Sequence, residues 1–195
     1  MLGSMTNACR LRRSAPLDPA AEARPAGRGW PSGSVLLWTG VAVLSLAADA
    51  ATKAWALAAL RHGHRIAVAG SLLRLQLVAN HGAAFGIGAG YEPLIAVVSL
   101  AGVVLLGVWA HYAAGNTSRF GAALAAGGAA GNLLDRLIRP PGVLHGAVTD
   151  WIHVSFYGPT FNLADVFLRA GVLIAAAGWL WNRRSQPGRP WPRQI

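Results

Sequence analysis

Four apolar runs decide what this chain can become. Val35 to Leu60, Leu94 to Ala110, Phe120 to about Ile138 and Val166 to Trp181 are each close to the ~17 to 25 residues that cross a hydrocarbon layer. Backbone polar groups find no partners in lipid, so segments of this length and character are read as helices. The wider composition agrees: 12% of residues are charged and 54% hydrophobic, against about 25% charged in a soluble domain. The expectation is a membrane α-helical protein with four transmembrane helices. The first and last runs carry charges and fit the pattern less well.

Between the first two runs, Leu73, Leu75 and Leu77 alternate with Arg74 and Gln76, the period of a half-buried strand, so a small extramembrane β-sheet is expected. Pro93 suits the first turn of the second helix and Glu92 its positive end. Ala123, Gly127 and Gly131, spaced four apart, form a small-residue stripe that lets a second helix approach. Residues 1–30 hold five arginines among Pro, Ala and Gly and read as a disordered basic tail. A four-helix domain over 31–184 and a basic C-terminal tail over 185–195 complete the division.

The single cysteine, Cys9, lies in the tail without an intrachain partner. The formal charge of +10 comes from arginines in tails and loops with no interleaved aromatic platform, which argues against nucleic acid. One rival concerns the first run. A basic tail, the apolar VLLWTGVAVLSLA and the small residues Ala48 and Ala50 also have the layout of a cleavable secretory signal.

Four spans return both termini to one side of the membrane. The tails and the second loop hold ten arginines and the first and third loops five, so the termini are expected in the cytoplasm. Asp150 and Asp165 then lie together at the outer face. No other acid and no Lys or Arg stands between them. Asp165 opens the fourth run, where a helix N-terminus favours a carboxylate, Asn162 can cap the same turn, and Arg169 is an i, i+4 partner. Asp150 sits among apolar and β-branched neighbours, where a charge is costly.

Two facing carboxylates share a proton and supply a general base and a general acid together, enough to turn water on an amide. Each also has a bland reading, as a solvated loop acid or a helix N-terminal acid. Asp135 is a third candidate, beside Arg136 and one turn from Asn132, with a paired, structural or substrate-orienting role. No G-x-S-x-G nucleophile is present, and His62 and His64 lack further metal ligands at informative spacing. From the residues alone, a small transporter or lipid-binding membrane protein using the same acids stands beside the hydrolase reading.

Five motifs in order resemble those of lipoprotein signal peptidase, the bacterial signal peptidase II family of membrane aspartic proteases: DAATK at Asp49 to Lys53, NHGAAF at Asn80 to Phe85, GGAAGNLLDR at Gly127 to Arg136, VTDWI at Val148 to Ile152 and FNLAD at Phe161 to Asp165. The resemblance covers about residues 35 to 182. It implies four membrane helices with an extramembrane β-cradle, cytoplasmic termini, and cleavage of diacylglyceryl-modified prolipoproteins just before the lipidated cysteine. It implies a cell-membrane enzyme with no metal or organic cofactor, whose partners are its substrates and membrane lipids; a monomer is expected.

The resemblance makes Asp150 and Asp165 the catalytic pair and places Asn80, Gly82, Asn132, Arg136, Asn162 and Ala164 around the site. Asn80 and Arg136 suit hydrogen bonds to substrate backbone, and Asp49 and Lys53, i and i+4, suit an internal ion pair. The match of these two also favours a retained first helix over a cleaved signal. Trp151 stands where the family usually has Phe, and the loop over 137–147 is longer than usual.

Overall fold

The computed structural model describes residues 32–83 and 86–185. The basic tails expected over 1–30 and 185–195 lie outside them, Ser185 excepted. Four long helices carry the fold: α1 Ser32–Ala59, α2 Glu92–Tyr112, α3 Asn116–Ile138 and α4 Leu163–Arg184. Strands β1 Ile66–Ala69 and β2 Leu73–Asn80 follow α1, and β3 Val148–Val154 and β4 Thr160–Phe161 lie between α3 and α4. The strands form one antiparallel sheet in the order β1-β2-β3-β4.

Helices α1 (from Ser34), α2 and α4 are long and apolar enough to cross a membrane. They turn large apolar side chains outward: Leu44, Leu94, Leu105 and Leu173 are all more than half exposed. That is the reverse of a helix packed in water and fits a lipid-facing surface. Helix α3, just as long, differs. It is rich in Gly and Ala, carries Arg119, Asp135 and Arg136, and buries most of its residues against all three other helices.

Small residues make that central position possible. A Cβ at Gly127 would meet Ala42 and Ser45 of α1, and one at Gly131 would meet Asp49, so the expected stripe faces α1. A second set faces α4. A Cβ at Gly121 would strike the backbone of Gly171 and Ala175, one at Gly171 the backbone of Gly121 and Ala125, and one at Gly128 that of Ala164 and Leu168. Close backbone approach of this kind drives helix association where lipid removes the hydrophobic incentive.

The helix ends follow their sequence signals. Pro93 and Glu92 fall in the first turn of α2. Asn162 caps α4, its Oδ1 accepting the Asp165 N–H at 3.0 Å. Helix α3 starts earlier than the apolar pattern indicates, at Asn116, because its first turn is polar. Strand β2 is longer than the alternation indicates, and the alternation is absent from its burial: Leu73 to Leu77 are all half-buried.

Candidate active site

Strand β3, unrecognised in the sequence beyond its β-branched composition, brings Asp150 to the helices. It pairs with β2 through Val78 opposite Asp150 and Asn80 opposite Val148. Between Leu75 and Val78 the register shifts, with one extra residue in β2, which re-aims the side chains beyond it. Asn80 thereby becomes the diagonal neighbour of Asp150, and its Nδ2 donates to Asp150 Oδ2 at 2.9 Å. Asp165 arrives from the other side, in the first turn of α4.

Asn162 joins the two. Its Nδ2 donates to Asp150 Oδ1 at 2.7 Å while its Oδ1 caps the Asp165 N–H. The same Nδ2 donates to Asn132 Oδ1 at 3.0 Å, and Asn132 Nδ2 donates to Asp165 Oδ1 at 2.9 Å. Three asparagines thus aim amide N–H groups at two carboxylates. Asp150 and Asp165 share one cavity of about 310 Å³ with Asn80, Gly82, Asn132 and Arg136, continued between α2 and α4 by apolar residues such as Val98 and Leu168.

Asp150 is 1% exposed. Burial pushes its carboxyl up to about 7; the Asn80 hydrogen bond opposes the rise, the charge of Asp165 adds to it, and the Asn162 bond and Lys53 lower it again. A carboxyl so placed still holds its proton in a sizeable fraction of molecules near neutral pH.

The remaining expected residues form a ring around this centre. Asp49 and Lys53 pair at 2.7 Å, both 1% exposed. Ala164, fully buried, donates its N–H to Asp49 Oδ1 at 2.9 Å and lies where only a small side chain fits against Gly131. Arg136 Nη2 donates to the Gly82 carbonyl at 2.5 Å, and Arg136 Nη1 is buried without a hydrogen-bond partner among the described residues. Asn80 Oδ1 accepts the Gly82 N–H at 2.9 Å, so this side chain is committed to the protein on both ends.

One sequence expectation changes. The partners of Asp135 are Lys53 at 3.1 Å and Arg139 at 2.7 Å, with neither Arg136 nor Asn132 among them. Neighbours on a helix point about 100° apart, whereas i and i+4 share a face, so the Asp135 to Arg139 spacing was the signal to read. Asp165 and Arg169 form the expected i, i+4 pair, a long one at 3.9 Å. The Thr149 N–H, which donates to Asp135 Oδ2 at 2.9 Å, had no sequence signal at all. His62 and His64 are exposed and are not among the residues lining the cavity. Trp151 packs edge-on against Trp55, ring centroids 5.6 Å apart, filling space beside β3.

Asn162→Ala is expected to lower Tm, since the lost cap alone is worth about 1 kcal/mol. Asn162→Asp keeps a capping oxygen but sets a carboxyl against Asp150 in a fully buried site, so it should not restore Tm to the parental value. Thermal unfolding in detergent checks both.

The family model described as Signal peptidase (SPase) II matches residues 41–181. The chain belongs to the signal peptidase II family. Signal peptidase II enzymes are bacterial membrane proteases, and curated relatives repeat the match. The lipoprotein signal peptidase of Leifsonia xyli subsp. xyli is 40% identical over 164 residues, 83% of this chain and 73% of that protein. That of Bifidobacterium adolescentis is 41% identical over 154 residues, 78% of this chain and 81% of the relative. Among solved structures, a bacterial membrane enzyme determined by the in meso method at 2.3 Å shares the fold with a TM-score of 0.67 at 24% identity, covering 83% of this chain and 96% of that one. A second, at 1.9 Å, has a TM-score of 0.61 at 27% identity, covering 75% and 92%. In this signal peptidase II chain the family match spans all four helices and both halves of the sheet.

Proposed function

We propose that this protein is an aspartic endopeptidase that removes signal peptides from diacylglyceryl-modified prolipoproteins, cutting before the lipidated cysteine, with Asp150 and Asp165 as its catalytic pair. The observation that carries the reading is the pair itself: two carboxylates in one cavity, held by Asn80, Asn132 and Asn162, in a chain of the signal peptidase II family.

The chemistry follows from the asymmetry of the pair. Asp150, raised to about 7 by burial, carries the shared proton, and Asp165, at the start of α4, serves as the base. Asp165 takes a proton from water as its oxygen attacks the scissile carbonyl carbon. Asp150 gives its proton to the carbonyl oxygen. Collapse of the tetrahedral adduct breaks the C–N bond, the leaving nitrogen takes the proton held by Asp165, and the new acid returns one to the pair. Arg136 Nη1 is available to hold a substrate carbonyl. No cofactor enters these steps.

In the membrane, all four helices span, α3 shielded by the other three; the termini are cytoplasmic and the dyad sits near the outer face, the arginine bias supporting that orientation. Helix α1 runs unbroken through Ala48 to Ala50 and contributes Asp49 and Lys53 to the ring, which supports its retention. The enzyme acts as a monomer.

Reconstituted protein incubated with a diacylglyceryl-modified prolipoprotein is expected to release the signal peptide, read as a gel shift; no release by folded protein would remove the reading. The pH profile is a second check. Because the Asp150 carboxyl lies above its ordinary value, its proton is present below about pH 7 and lost above it. The rate should therefore fall on the alkaline side with an apparent midpoint near 7 that belongs to the pair. A rate that stays level from about pH 6 to about pH 9 contradicts Asp150 as the acid.

A further inference from the structure

Lys53 is the chain's single lysine. It is 1% exposed and does not line the cavity that holds the dyad. Yet its contacts lead to both aspartates. Its Nζ lies 2.7 Å from Asp49 Oδ2, and Asp49 Oδ1 accepts the N–H of Ala164, the residue before Asp165. The same Nζ lies 3.1 Å from Asp135 Oδ2, which accepts the N–H of Thr149, the residue before Asp150. A third contact, 3.0 Å to Asn132 Oδ1, meets the amide whose Nδ2 donates to Asp165. The Gly131 carbonyl at 3.4 Å completes the set.

An ammonium only donates, so every group it touches must turn an acceptor inward. Asn132 Oδ1 has one other donor, Asn162, which is already bonded to Asp150. Lys53 is the charged donor of the two, and a charge-assisted bond is about twice as strong as a neutral one. Asp135 has a second cation in Arg139, whereas Asp49 has Lys53 alone among the described residues.

We propose that Lys53 is a positioning residue that sets the separation of Asp150 and Asp165, through two carboxylates that each grip the backbone N–H just before a dyad aspartate and through Asn132. One side chain on α1 thereby ties β3 and the start of α4 to a common point. The proposal rests on the dyad reading above and adds a residue that never touches substrate.

Removing Lys53 alone strands Asp49 as a buried charge, which is strongly destabilising. The informative variant is Asp49→Asn/Lys53→Met. It deletes a neutral pair, leaves Asp135 with Arg139, and keeps an amide oxygen for the Ala164 N–H; such replacements are often tolerated. The expected result is a folded protein whose kcat per folded molecule falls about 100-fold, the scale of a ~1 Å misplacement, with KM within about 2-fold. A residue that only supports folding would leave kcat per folded molecule untouched, and that result overturns the proposal.

Asp135→Asn, which keeps Lys53 on Asp49, covers the case in which the double variant does not fold. It is expected to lower kcat about 10-fold at constant KM, and a parental kcat overturns the proposal equally. Protein labelled with 15N-threonine gives a readout free of cleavage, since Thr149 is one of six threonines. Its amide resonance should move in the double variant, where its own partner Asp135 is intact; an unmoved resonance again overturns the proposal. A parent that releases no signal peptide while Thr149 shifts would sink the substrate reading and leave Lys53 standing.

Discussion

Asp150→Asn and Asp165→Asn are each expected to reduce signal-peptide release by about 10²- to 10⁴-fold or more, the scale of losing a positioned general acid or base. The substitutions are isosteric, so the cavity keeps its shape. What changes is proton traffic. An amide at 150 has no proton to give to the substrate oxygen, and an amide at 165 cannot take one from water. Both variants should remain folded: an amide at 165 keeps the oxygen that Asn132 meets, and an amide at 150 keeps one of the two acceptors that Asn80 and Asn162 use. The check is cleavage of a diacylglyceryl-modified prolipoprotein by purified variants whose unfolding transitions match the parent. Parental rates in either folded variant would dismiss that carboxylate from the chemistry.

The second large effect concerns folding. Gly171→Ala is expected to lower stability by about 2 to 3 kcal/mol, the cost of overpacking a tight contact. Its Cβ would meet the Ala125 backbone and the Gly121 carbonyl, which cannot rotate away. The same change on the outward side of α2, Gly107→Ala, meets nothing within 4 Å and should stabilise by about 0.5 to 1 kcal/mol, because alanine loses less backbone entropy in a helix. Thermal unfolding in detergent should separate the pair by roughly 5 to 10 °C. Equal Tm values would mean that α3 and α4 do not approach as closely as described.

The contrast between these sites explains how much could be read in the chain. Apolar runs announced the helices because lipid leaves a segment few alternatives. Asp150 stood out because a carboxylate without a nearby base is unusual in such a chain, and Asp165 and its Asn162 cap were legible because capping is local. Asp135 was misread by adjacency: its partners lie one helical turn ahead, at Arg139, and on α1, at Lys53. Only the first obeys a spacing rule. The Arg136 bond to Gly82 and the Thr149 bond to Asp135 join backbone atoms to distant side chains, and backbone atoms leave no mark on sequence. Strand β3 escaped because its inner residues are buried without alternation, Val148, Thr149 and Asp150 in succession.

The composition of α3 has a consequence for how the protein is made. With Arg119, Asp135 and Arg136 in its end turns and a glycine-rich middle, this segment is less apolar than the three helices that are long and apolar enough to cross a membrane. Its acceptor on α1, the Asp49 and Lys53 pair, is synthesised more than sixty residues earlier. On the proposed reading that all four helices span, α1 and α2 precede α3 in the chain and are expected to receive it as it inserts. The Asp49 and Lys53 pair is the charged contact that Asp135 meets on arrival.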